Sequence, residues 1–142
     1  MTSITLDQAN TIIAAAFAKG RELGLKPLSV LVVDAGGHAL AFQRQDGASF
    51  GRFQVTQGKA AGALALGVSS RKLGDMAIER PWFIGAFAAS APHPVIPAAG
   101  GNIVVDADGA LIGAVGVSGD TSDNDEICTL AGIAAAGLST QG

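Results

Sequence analysis

The segment that most constrains the fold runs from Gly101 to Gly119, GNIVVDADGALIGAVGVSG, with the acidic stretch DTSDNDE directly after it. Two apolar runs, Ile103 to Val105 and Leu111 to Val117, flank Asp106-Ala107-Asp108-Gly109, which predicts a β-hairpin. The Asp-Gly pair supplies the left-handed position that such a turn demands. The same wording occurs earlier, with Val32-Val33-Asp34-Ala35-Gly36-Gly37 matching Val104-Val105-Asp106-Ala107-Asp108-Gly109. Each copy leads towards a helix, so two hairpin-plus-helix halves sharing one sheet are one expectation; ordinary strand-turn-strand chemistry is the other.

Around these hairpins the pattern is helical. Thr5-Leu6-Asp7-Gln8 has the form of a capping box, and Leu6, Ala9, Ile13, Ala16, Phe17 and Leu23 recur at helical spacing before Gly24 and Pro27. A helix over about 6–23 is predicted. Leu28 to Val33 and His38 to Arg44 form the first hairpin, with His38, Leu40, Phe42 and Arg44 assigned to one face by alternation. Phe50 to Gly67 has helical spacing with Gly51, Val55, Gly58 and Gly62 along one stripe. That stripe suits close packing or a flat ligand laid on bare backbone.

A short helix over about 71–78 is ended by Pro81. Trp82, Phe83 and Phe87 then lie in a stretch broken by Pro92 and Pro94, expected to act as an apolar lid or as a loop at a subunit contact. Asp123 to Glu126 has capping-box spacing, and a last helix over about 124–138 is expected to turn Ile127, Leu130, Ala131, Ala134 and Leu138 inward. Asp120 to Asp125 resembles a calcium loop only faintly, because the glycine of its sharp bend is missing.

Residues 1–142 fit one domain. Apolar residues make up 49% and charged residues 15%, which leaves apolar surface for other subunits to cover. A net charge of −3 without a basic run argues against nucleic acid. No apolar run is of spanning length, so no membrane partner is expected. Cys128 is the only cysteine, which excludes an internal disulfide and fits the cytoplasm. The N-terminus lacks the form of a secretory signal, with the reservation that one could have been removed.

Serine-hydrolase elbows, phosphate loops and paired-cysteine zinc sites are all missing from the sequence. The chemistry-bearing candidates are therefore scattered. Arg44 and Lys59 can hold a carboxylate or be ordinary surface charges, and His93 or Asp125 can move a proton. His38 is either a turn residue bonded to backbone or a ligand.

Read in order, Val33-Asp34-Ala35-Gly36-Gly37-His38, Arg44 to Ala48, Lys59-Ala60, Gly100-Gly101 and above all Ile112-Gly113-Ala114-Val115-Gly116-Val117-Ser118-Gly119 with Asp125-Glu126 closely resemble the GlcG/HbpS-like family. That family includes the C-terminal domain of PduO-type proteins. The resemblance implies an α+β fold of order α-β-β-α-α-β-β(β)-α, an antiparallel sheet flanked by helices, assembly into homo-tetramers or octamers, and haem binding in several members. Gln45, Ala61-Gly62 and Asn102-Ile103 depart from the family's pattern, at positions nearer the expected pocket than the scaffold. Haem needs a flat apolar slot and an iron donor. The donors here are His38, His93, Met76 and Cys128, with the two histidines preferred.

Three functions follow from this resemblance and these residues. The first is a small-ligand protein, most readily a haem binder, with a cleft bordered by the glycine-lined helix and the aromatic segment of Trp82 and Phe83; Arg44 and Lys59, with those aromatics, are the residues that would bind the substrate of the second. The second is an enzyme of a catabolic pathway acting on a small organic acid or carbonyl compound. The third is an accessory or sensor subunit.

Overall fold

A computed structural model describes residues 3–141; Met1, Thr2 and Gly142 of the expected single domain lie outside the described residues. The elements are α1 (Leu6–Glu22), β1 (Ser29–Asp34), β2 (Ala39–Arg44), α2 (Arg52–Leu66), α3 (Ser70–Glu79), α4 (Pro81–Ser90), β3 (Gly101–Val105), β4 (Leu111–Ser118), α5 (Ser122–Ala135) and β5 (Ser139–Gln141). The sheet has the order β2-β1-β4-β3-β5 and is antiparallel throughout. The α+β class expected from the sequence is therefore the observed one.

Both hairpins close with the same bonds. Asp34 Oδ1 accepts from the amides of Gly36 and His38, and Asp106 Oδ1 from those of Asp108 and Ala110, each at 2.9 Å. Gly37 and Gly109 take the left-handed position at φ 84° and 81°. The echo between the halves is thus a shared turn chemistry. It does not extend to the helices: α2, following the first hairpin, covers one face of the sheet, and α5, following the second, joins α1 on the other.

On the α1/α5 face Ile12, Ile13, Val30, Val32, Val115 and Val117 form the larger core. On the α2 face Leu31, Val33, Ala60 and Ala114 form a thinner one. The second is thin because α2 rests on the sheet through backbone. Gly101 and Gly116 are cross-strand partners, and a Cβ on either would strike the main chain of α2, at the carbonyls of Lys59 and Thr56 respectively.

Local departures from the expected elements have local causes. Pro81 does end α3, yet it also begins α4 as that helix's first residue, where its missing amide costs nothing because no intrahelical partner exists there. The aromatic stretch is therefore helical, and it packs chiefly on α3. A bulge in β2 pairs Val32 with Ala41 and Val33 with Ala39, which sends Leu40 to the α1 side while Phe42 packs on the α2 side. Those two side chains do not share a face as simple alternation requires.

The last helix starts two residues early, with Thr121 capping the Asn124 amide at 3.2 Å. It stops at Gly137 (φ 73°), and Ser139–Gln141 pairs with β3. Its inward residues are Asp125, Cys128, Thr129, Gly132 and Ile133, while Ile127 and Leu130 are 43% and 39% exposed. Gly132 decides this rotation, since a Cβ there would strike the Ile12 carbonyl of α1. Among the described residues no helix is long and apolar enough to cross a membrane.

Candidate functional site

The two histidines of the chain line one pocket. A pocket of about 480 Å³ is lined by Ala35, Gly36, Gly37 and His38 of the first hairpin turn, by Gln57, Ala61, Leu64 and Ala65 of α2, and by Pro92 and His93 after α4. The turn presents His38 because Asp34 grips the loop at both ends. Residues 57, 61, 64 and 65 fall on one stripe of α2 by helical spacing. The loop after α4 lies over α2 because Ile96 donates its amide to the Gly58 carbonyl at 3.1 Å.

His93 Nδ1 lies 2.8 Å from the Pro94 carbonyl oxygen. A carbonyl only accepts, so Nδ1 carries a hydrogen, and in the neutral ring Nε2 keeps the lone pair. That leaves His93 with a nitrogen suited to a metal or a proton. No side-chain hydrogen bond engages the His38 ring among the described residues. No lysine or arginine lines the pocket, and its walls are mostly alanine, glycine, leucine and proline.

Other expected site residues lie elsewhere. Lys59 is buried at 2% exposure, with Nζ 3.0 Å from Asp125 Oδ2 and 2.9 Å from the Val117 carbonyl. Asp125, equally buried, also accepts from the Asp120 amide at 3.0 Å. The pair ties α2, β4 and α5 together, with neither member in the histidine pocket. Desolvation holds the Lys59 pKa below its ordinary value, although the attraction of Asp125 acts the other way.

Arg44 borders a different groove, near the end of α1. Trp82 is 70% exposed on α4, edge-on to Phe83, whose ring lies 4.9 Å from the Arg80 guanidinium carbon. Neither aromatic lines the pocket. Arg44, Lys59, Asp125 and a histidine therefore do not converge.

The glycine stripe of α2 has another occupant. A Cβ at Gly58 would meet Ile96, and one at Gly62 would meet Leu73 and Val95. The chain's own Val95-Ile96 segment fills the space in which a flat ligand was expected, and the pocket uses the adjacent stripe of the same helix. Gln57, Leu64 and Ala65 gave no sign in the sequence beyond their spacing, whereas Ala61 was marked as a departure from the resembled family's pattern near the expected pocket.

Cys128 is a free, fully buried thiol, with its pKa pushed up to about 11 by desolvation and by the nearby Asp125 charge. Below that pH it stays a thiol, and the thiolate is the reactive form. We expect the native protein to resist thiol reagents at mildly alkaline pH and to take up one equivalent on unfolding in guanidinium; rapid labelling of the native protein would contradict this.

The model of the family described as haem degrading protein HbpS-like matches residues 4–134. An uncharacterized 15.0 kDa protein from the dhaT-dhaS intergenic region of Citrobacter freundii is 32% identical over 127 residues, covering 89% of this chain and 87% of that one. A crystal structure of HbpS is similar with TM-score 0.80 and 30% identity, over 94% of this chain and 90% of the other. A crystal structure of a PduOC:heme complex is similar with TM-score 0.87 and 24% identity, over 99% of this chain and 100% of the other. With the family model spanning nearly all of the described residues, the chain belongs to the HbpS-like family.

Proposed function

We propose that this protein binds a small, largely apolar ligand in the histidine pocket, and that the ligand is haem. One observation carries the proposal. His38 and His93, far apart in sequence, line the same pocket against an apolar helix face, and His93 has its Nε2 lone pair free. The volume lies within the range of small-molecule and cofactor sites.

The residues fit the group. His93 Nε2 would be the iron donor, with the Pro94 carbonyl holding the hydrogen on Nδ1, and His38 would be the second donor at the same pocket. Ala61, Leu64 and Ala65 offer the apolar wall for a porphyrin ring, and Gln57 the one neutral polar contact. The lining holds no lysine or arginine to pair with the carboxylates such a ring carries. A bound haem supplies redox and ligand-exchange chemistry at its iron; the protein supplies the donor, its orientation and the exclusion of water from one ring face. The family's description as haem degrading and the haem complex of the structurally similar PduOC support this choice.

Haem added to the purified protein is expected to give a stoichiometric, saturable shift of the Soret band. His93→Ala is expected to remove the histidine-ligated spectrum, and His38→Ala to alter it less. A wild-type titration without a Soret shift would end the haem assignment.

Self-association goes with this reading. Phe50 and Ile78 are each 85% exposed and Trp82 70%, and α4 carries no charged residue while burying only Ile84. Such surface favours a homo-oligomer, tetramer or octamer, in the cytoplasm, where an unpaired Cys128 needs no partner.

A further inference from the structure

Helix α4 is attached to the rest of the fold on one side. It packs chiefly on α3 and buries only Ile84. The opposite face carries Trp82, Ala86 and Ala89 at helical spacing, all exposed, with Trp82 at 70%. None of the ten residues of the helix is charged. A face of this kind calls for a cover, and its chemistry narrows what the cover is. A helix that lies on lipid carries basic residues along a polar face. Helix α4 has no such face, and the net charge of −3 repels an anionic membrane.

A second copy of the same helix fits in shape and in charge. Trp82 projects at one end of the stripe and the small Ala86 and Ala89 follow towards the other, so a two-fold axis near Ala86 lays each tryptophan on the partner's Ala89. Such self-complementarity is what an isologous contact requires. Arg80 stands at the N-terminal end of α4, where the helix dipole disfavours a cation, with its guanidinium carbon 4.9 Å from the Phe83 ring centre. At the other end the last turn holds no basic residue, and among the described residues the carbonyls of Ala88, Ala89 and Ser90 accept no hydrogen bond. Antiparallel pairing brings Arg80 of each copy to that negative end of the other helix.

Helix α4 also leads straight into the histidine pocket. Ser90 is its last residue, and Pro92 and His93 line the pocket. The far end of this loop is tied to α2 by the Ile96 amide on the Gly58 carbonyl at 3.1 Å. The placing of His93 is therefore left to α4.

We propose that α4 is a two-fold contact between copies of this chain, and that this contact sets the ligand affinity of the histidine pocket by fixing His93. The second half rests on the ligand reading given above; the first half does not. By linkage, bound ligand strengthens the contact by the same factor as the contact strengthens ligand binding.

Sedimentation velocity of the ligand-free protein and the haem titration read the two halves separately. Ala86→Glu opposes two carboxylates at the axis and leaves the single copy intact, because the position is exposed. It is expected to lower the mass of the assembly about two-fold, with the far-UV spectrum unchanged, and to weaken haem about tenfold, within the usual range of coupling between sites. Ala86→Cys is expected to crosslink to its own copy on mild oxidation, since the native Cys128 is buried and adds no background. Ala18→Cys, exposed on α1, is expected not to. An unchanged mass in Ala86→Glu, or equal crosslinking from position 18, would overturn the contact. A lowered mass with haem affinity unchanged would overturn the coupling. A wild type that takes up no haem ends the ligand reading and the coupling with it, while mass and crosslinks still decide the contact.

Discussion

A Gly116→Ala protein is expected to lose about 3 kcal/mol or more of stability, the upper end of what overpacking a core costs. The reason is geometric. Gly116 has ordinary extended backbone rather than a left-handed one, so alanine brings no conformational strain. Its methyl group would instead meet the carbonyl and Cα of Thr56, which are main chain and cannot rotate aside. Helix α2 would have to lift from β4, and with it the wall of the histidine pocket. Gly101→Ala is expected to do the same through Lys59. Gly85→Ala is the control: nothing lies within 4 Å of a Cβ at that position on α4, so alanine should stabilise by up to about 1 kcal/mol through helix propensity alone. Urea denaturation of the three variants checks the contrast, and a Gly116→Ala midpoint equal to wild type would mean that α2 does not sit on the sheet as described.

Lys59→Met should cost about 3–5 kcal/mol, because it strands the Asp125 carboxylate in the interior without its cation. Removing the partner as well, in Lys59→Met with Asp125→Leu, should restore most of that loss, since a buried ion pair is weak net stabilisation compared with apolar packing. The recovery is incomplete because the Asp120 amide loses its acceptor. A pH signature accompanies the pair. The folded pKa of Lys59 lies below the unfolded value of 10.5, so between the two the unfolded chain binds the extra proton and this group's contribution to stability rises with pH. Lys59→Met should flatten that part of the stability curve. A single mutant as stable as the double would show that Lys59 and Asp125 do not depend on each other.

What could be read from the sequence was whatever neighbours along the chain decide. Both glycine-containing hairpin turns, the Thr5-Gln8 capping box and the helix stop at Pro81 rest on bonds within a few residues. The inward face of α5 rests on two distant helices, through the contact of Gly132 with Ile12 of α1 and of Asp125 with Lys59 of α2. Periodicity therefore chose Ile127 and Leu130, which are partly exposed. The site divides the same way. The histidines stood out in the sequence as candidates, but that His38 and His93 line one pocket depends on the loop bonded over α2 at Gly58. The one hint of Lys59's burial was its setting among Gly58, Ala60, Ala61 and Gly62, small residues on every side of a charge.

The central seam of the sheet joins Ser29 to Ser118 and Asp34 to Gly113, while every other long pairing lies within a hairpin. During synthesis β1 and β2 leave the ribosome long before β4 exists, and the inner edge of that first ribbon stays open to any strand it encounters. Assembly of the native sheet must wait for the distant half, a loop closure that slows folding far more than either turn does. The newborn chain is accordingly most vulnerable to aggregation in the interval before Leu111–Ser118 arrives, and that interval is set by translation rather than by the stability of the finished molecule.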